Sequence, residues 1–182
     1  LGEYVCEAYL DEDEFYRLTQ TGGSCPYYRP GDDYALVRHQ NGGGNSMTEW
    51  EKAAAGLLYD ANYDPELLQA RAKAQDLCMD YNQLRSTQKD ERIALLRTLL
   101  AACGEDIIIE PPFFVDYGSN MRVGKAFYAN HNLVVLDGAP VTFGDHVFIG
   151  PNCCFSTAGH PLDPAQRNAG LEYAKPITVG NN

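Results

Sequence analysis

The chain has 182 residues, a formal net charge of -11 and 45% hydrophobic residues, enough apolar side chain for one core with or without a small appendage. An acidic balance of that size repels both the phosphates of nucleic acid and an anionic membrane surface, and no run approaches the roughly 18 apolar residues of a membrane helix. The first residues, LGEYVCEAYLDEDE, are acidic where a secretory leader would be basic and then apolar, so the reading is a cytoplasmic protein. Its six cysteines, at 6, 25, 78, 103, 153 and 154, follow no disulfide-rich spacing and are expected to be free thiols.

Residues 1–45 form an acidic, tyrosine-rich module that carries the turn CPYYRPGDD and ends in NGGGN. The glycine cluster reads as a linker; without a following Lys-Ser/Thr it is not a phosphate loop. Cys6 and Cys25 are either half of a four-ligand zinc site or two plain thiols, and the module is assigned no function. Helical patterning then covers 46–104. Ser46-Met47-Thr48-Glu49 reads as a capping box ahead of EWEKAAAGLLYD. A second helix is predicted from Pro65 through ELLQARAKAQDLCMDYNQL, and a third from about Gln88 through ERIALLRTLLAAC, closed by Gly104 at the C′ position.

From residue 105 to 182 the period changes to six. Anchors followed by a small residue recur at Tyr117-Gly118, Val123-Gly124 and Ala129-Asn130. After a slip of two they resume at Phe143-Gly144, Ile149-Gly150 and Phe155-Ser156, and return at Val179-Gly180. Six-residue repeats of this kind build a parallel β-helix, with each anchor pointing into a narrow core. The small residue after each anchor is predicted to supply the positive-φ corner. The gap between Phe155 and Val179, predicted as a loop over 156–176, is polar, holds three prolines and has no six-residue phase, so it is extruded, with His160 at its base. Cys153 and Cys154 fall on ordinary strand positions and are not read as nucleophiles. His131, His146 and His160 lie at spacings that are not multiples of six, so they should not share a face and no metal site is predicted.

The stretch DYGSNMRVGKAFYANHNLVVLDGAPVTFGDHVFIGPN, followed by GHPLDPAQRNAGLEYAKPITVGNN, closely resembles the maltose and galactoside O-acetyltransferases, which are left-handed β-helix hexapeptide acyltransferases. The likeness reaches back through the helical segment to about Thr48. It implies a mainly β fold with an α-helical N-terminal part, a left-handed parallel β-helix that is incomplete at its C-terminal end, and, for the full-length protein, a homotrimer with shared active sites. It also implies transfer of an acetyl group from acetyl-CoA to a sugar hydroxyl, without a metal. By the same resemblance His160 is the general base, Asn130 the oxyanion donor, and Asp60, Asp116, Tyr128 and Glu172 bind the sugar. A histidine suits the task because its ordinary pKa lies near neutrality. Asn130 is equally suited to a corner, and Asp60 and Glu172 to a solvated surface. The family's coenzyme A contacts are expected mostly beyond Asn182. Gly138 departs from the galactoside type, which carries a second acidic residue after the aspartate corresponding to Asp137, and Asp116 looks more like the maltose type, whereas Gly159 before His160 resembles the galactoside type. The competing readings are a non-catalytic trimeric assembly protein and an acetyltransferase with an amine acceptor.

Overall fold

The computed structural model describes residues 47–182; the module at 1–45, with Cys6 and Cys25, lies outside the described residues. The first helix, α1 (Glu49–Ala54), is closed by a reciprocal capping box, in which the Thr48 hydroxyl accepts from the Glu51 N–H and Glu51 accepts from the Thr48 N–H. The box predicted at Ser46 and Glu49 is therefore displaced by two residues. Glu49 instead accepts from the Asp60 N–H at 2.6 Å, tying the helix to strand β1 (Tyr59–Asp60). Helix α2 (Pro65–Gln83) starts as predicted, with Asp64 as its N-cap and Pro65 in the first turn, where a missing N–H costs nothing.

Helix α3 (Lys89–Leu99) stops well before Gly104. The Ala101 N–H bonds to Met121 O at 2.9 Å, so the chain is already captured by the β-helix, and strand β2 (Ala102–Cys103) follows at once. The β-helix then runs through β3 (Ile108–Ile109), β4 (Phe113–Val115), β5 (Met121–Val123), β6 (Tyr128–Ala129), β7 (Leu133–Leu136), β8 (Val141–Phe143), β9 (Phe148–Ile149) and β10 (Cys154–Ser156). It resumes at β13 (Ile177–Val179). These strands stack as three parallel sheets, ordered β13-β8-β5-β2, β3-β6-β9 and β10-β7-β4. Inward residues such as Phe113, Met121, Phe127, Leu133, Val135, Val141 and Phe143 fill the single core that the three sheets enclose.

Successive coils pair residues twenty apart, as in Val115 with Val135 and Lys125 with Asp145. The core anchors Val123, Ala129, Val135 and Phe143 are thus spaced six, six and eight. Two extra residues enter once per coil, always at the corner that follows β4 or β7. The anchor predicted at Tyr117 is consequently misplaced. Val115 takes the core position, and Tyr117 turns out at the corner into a second buried cluster with Tyr59, Ala61, Leu67, Ala139 and Ala174.

The corner chemistry also differs from expectation. Positive φ falls at Gly118 as predicted, but otherwise at Asp106, Ala126, Asn132, His146 and Asn152, each three residues after an anchor, and not at Gly124, Asn130 or Gly144. The glycines after the anchors answer a different need. A Cβ on Gly104 would lie 2.4 Å from the Gly124 carbonyl carbon, and one on Gly124 would lie 2.5 Å from that of Gly144. They let one coil's backbone rest on the next.

Beyond Ser156 the chain leaves the coil, and Asp145 then bonds to Asn181 across thirty-six residues in place of twenty. This excursion is more ordered than a polar loop: it contains β11 (Ala158–Gly159), a short helix α4 (Pro164–Asn168) and β12 (Leu171–Ala174). Strands β1, β12 and β11 form a fourth, antiparallel sheet, which joins the N-terminal helical segment to the excursion.

Candidate active site

The antiparallel sheet determines where His160 stands. Gly159 pairs with Tyr173 at the end of β11, so His160 leaves the sheet beside the strand that carries Glu172, and Glu172 pairs on its other side with Tyr59. His160 is exposed at the end of β11, while the following Pro161 is buried and anchors the loop. A Cβ on Gly159 would fall 2.4 Å from the Tyr173 ring, so any larger residue there needs that ring to move.

Of the other predicted acceptor residues, Asp116 shares Arg71 with Glu172, whereas Asp60 is one residue along β1 from Tyr59 and takes the other face of the strand. Asp60 adjoins Tyr59 on β1 and pairs with Leu171; its Oδ1 accepts from the Tyr63 N–H at 3.0 Å, so part of the carboxylate is spent on the turn into α2. Asp116 opens the long corner after β4, where burial pushes its carboxyl pKa up and the Arg71 guanidinium pulls it back. Arg71 is the centre of the cluster. It donates to the Tyr117 hydroxyl at 2.9 Å and to Ala61 O at 3.1 Å, lies over the Tyr117 ring, and feels the charges of Asp116 and Glu172. Its Nε is buried without a hydrogen-bond partner. Sequence reasoning passed over Arg71, although it interrupts the buried stripe of α2 between Leu67 and Ala74, where a charge needs a reason.

Tyr59 and Asp137 were likewise missed. The Tyr59 ring is buried, and its hydroxyl donates to Glu172 Oε2 at 3.4 Å; burial first, and the Glu172 charge second, raise its pKa, so it stays a proton donor. Asp137 is fully buried and accepts from the Tyr117 N–H at 2.8 Å and the Asn120 N–H at 3.2 Å, pinning the corner of the preceding coil. Burial pushes its carboxyl up to about 6 in spite of those bonds.

Asn130 and Tyr128 are not part of this cluster within one chain. Tyr128 points outward from β6, stacked near Phe148 at 6.0 Å between ring centroids, in a ladder that also includes Ile108. Asn130 stands at the corner between that sheet and the next, and its Oδ1 accepts from the His131 N–H at 2.7 Å. From there to the corner that launches the His160 loop the chain crosses a face of four residues, about 13 Å at ~3.3 Å per residue. The three histidines occupy three different corners: His146 a positive-φ turn, His131 the Asn130 corner, and His160 the loop. Among the described residues no three His, Cys, Asp or Glu side chains converge as metal ligands do.

Comparison with known proteins adds relatives to this geometry. Residues 52–104 match a family model described as a maltose acetyltransferase hexapeptide capping motif, and residues 1–41 match a domain of unknown function. A Saccharomyces cerevisiae protein named as an acetyltransferase is 52% identical over 132 residues, spanning 72% of this chain and 67% of its own length. The crystal structure of a maltose O-acetyltransferase from Clostridium difficile superposes with a TM-score of 0.73 at 37% identity, covering 76% of this chain and 73% of that one. A galactoside acetyltransferase solved in complex with coenzyme A gives 0.71 at 37% identity, over 75% and 68%. Identity of this depth over one continuous backbone means that the chain belongs to the maltose and galactoside O-acetyltransferase family of hexapeptide-repeat proteins.

Proposed function

We propose that the protein transfers the acetyl group of acetyl-CoA to a hydroxyl of a sugar, with His160 as general base. The observation that carries this reading is the antiparallel sheet that brings an exposed His160, at the end of β11, to the strand bearing Glu172, which is held by Tyr59 and gathered with Asp116 around Arg71: an imidazole in solvent on a sheet with groups that can hold hydroxyls. His160 takes the acceptor proton as the oxygen attacks the thioester carbonyl, then returns it to the departing thiolate. Asp60, Asp116 and Glu172 accept from acceptor hydroxyls, Arg71 braces the Tyr117 corner beside Asp116 and Glu172, and Asn130 donates its free amide to the oxyanion. A coenzyme A complex of a relative at 37% identity supports acetyl-CoA as donor.

The wide separation of Asn130 from the His160 corner favours a site completed between subunits. A neighbouring copy seated on the outward ladder Ile108, Tyr128 and Phe148 would set its own His160 loop against Asn130 and Tyr128. In this reading the β-helix is left-handed, the assembly is a homotrimer, and residues 1–45, 46–104 and 105–182 are an appendage, a helical cap and the β-helix. The test is acetyl-CoA consumption by the purified protein with maltose, glucose, a methyl galactoside and an amino sugar. A sugar hydroxyl is expected to be acetylated, and His160→Ala should lower turnover at least ~100-fold with the fold intact. Acetylation of the amine alone, or near wild-type turnover in the variant, would refute the assignment.

A further inference from the structure

Gly138 adopts no glycine-only backbone conformation, yet it has no room for a side chain. A Cβ there would lie 2.8 Å from the Tyr59 hydroxyl, 3.3 Å from the Ala174 Cβ and 3.6 Å from the Thr157 hydroxyl. The glycine therefore opens space for one polar atom, the Tyr59 oxygen, which reaches through the buried cluster beneath the acceptor corner. That oxygen has a single partner, Glu172 Oε2. Glu172 is only half-buried, and Tyr59 engages just one of its two carboxylate oxygens, which leaves the other for an acceptor.

We infer that Tyr59, seated in the space left by Gly138, is a positioning residue that aims the Glu172 carboxylate at the acceptor, so that the pair at 59 and 138 sets acceptor affinity. The inference rests on Glu172 touching the acceptor, as proposed above. A free glutamate on a strand samples several rotamers, and a donor from beneath selects one, reducing the entropy lost when a hydroxyl binds. An acidic residue at 138 is incompatible with this arrangement because it would displace the tyrosine.

The test uses steady-state kinetics of the purified protein with whichever of maltose, glucose and a methyl galactoside is turned over fastest. Tyr59→Phe, which keeps the ring, is expected to raise the acceptor KM roughly tenfold, with kcat at saturating acceptor and the KM for acetyl-CoA within about twofold. Gly138→Ala should raise the acceptor KM similarly by pushing the hydroxyl off Glu172, and the double variant should match Tyr59→Phe alone, because the methyl then meets no oxygen. Should the two single effects multiply, or should Tyr59→Phe lower kcat alone, the positioning role is overturned. Glu172→Gln separates the two layers. An elevated acceptor KM there with a silent Tyr59→Phe removes only this inference, whereas a silent Glu172→Gln removes the acceptor contact and the inference with it.

Discussion

Asn130 uses its side-chain carbonyl within the chain, on the His131 N–H, and leaves its amide NH2 uncommitted. That division matches both meanings read from the sequence, since the oxygen shapes the corner and the nitrogen can meet a developing negative charge. Replacing Asn130 with Ala should lower kcat by about 100-fold with little change in acceptor KM, as expected for a donor used in the transition state. A rise in KM alone would make it an acceptor-binding residue, and loss of the fold a corner residue. Asp137 gives a second prediction. Its folded pKa of about 6 lies above the usual carboxylate value, so the folded state holds its proton more tightly than the unfolded chain. The stability it confers is present below about pH 4 and lost as pH rises through 6, on the order of 2 to 3 kcal/mol. Thermal melts of wild type and Asp137→Asn should therefore show a difference that favours wild type most at pH 4 and shrinks toward pH 7. The proposal for His160 comes from the GHPLD motif, whereas Arg71, Tyr59 and Asp137 offered no such signal, because their contacts are with partners between 10 and 113 residues away.

At the scale of elements the glycines after the anchors offer the sharpest test. A methyl on Gly124 would meet Asp145 Oδ1 at 2.4 Å and the Gly144 backbone at 2.5 Å. Gly124→Ala should destabilise by about 3 kcal/mol or more, measured by denaturant unfolding. A change below ~0.5 kcal/mol would mean the coils are not in backbone contact. The six-residue period was readable because inward anchors are aliphatic or aromatic and small residues follow them. The two extra residues per coil were only half readable: the slip before Phe143 was seen, but the earlier one before Val123 was hidden by Tyr117, a large apolar residue that happens to fall in phase. The box at Thr48 and Glu51 was missed for a similar reason, as Ser46 and Glu49 offer the same pattern two residues earlier.

At the scale of the molecule, Phe148 is 76% exposed and Ile108 51% exposed on one flat sheet, an apolar stripe that a solvated monomer seldom carries. In solution the protein should have a scattering mass three times that of one chain, and Phe148→Asp should reduce both the mass and the activity. A wild-type monomer with full activity would exclude the shared site. The fourth sheet has a consequence for how the protein is made. Tyr59 and Glu172 are 113 residues apart in sequence, and the strand carrying Glu172 lies between β1 and β11. On a ribosome, coils can wind one upon another as they emerge, since each needs only its predecessor. The acceptor corner has no such freedom. The early strand must wait, its edge unpaired, until the excursion at 171–174 leaves the exit tunnel, so a nascent chain gains its scaffold before its chemistry.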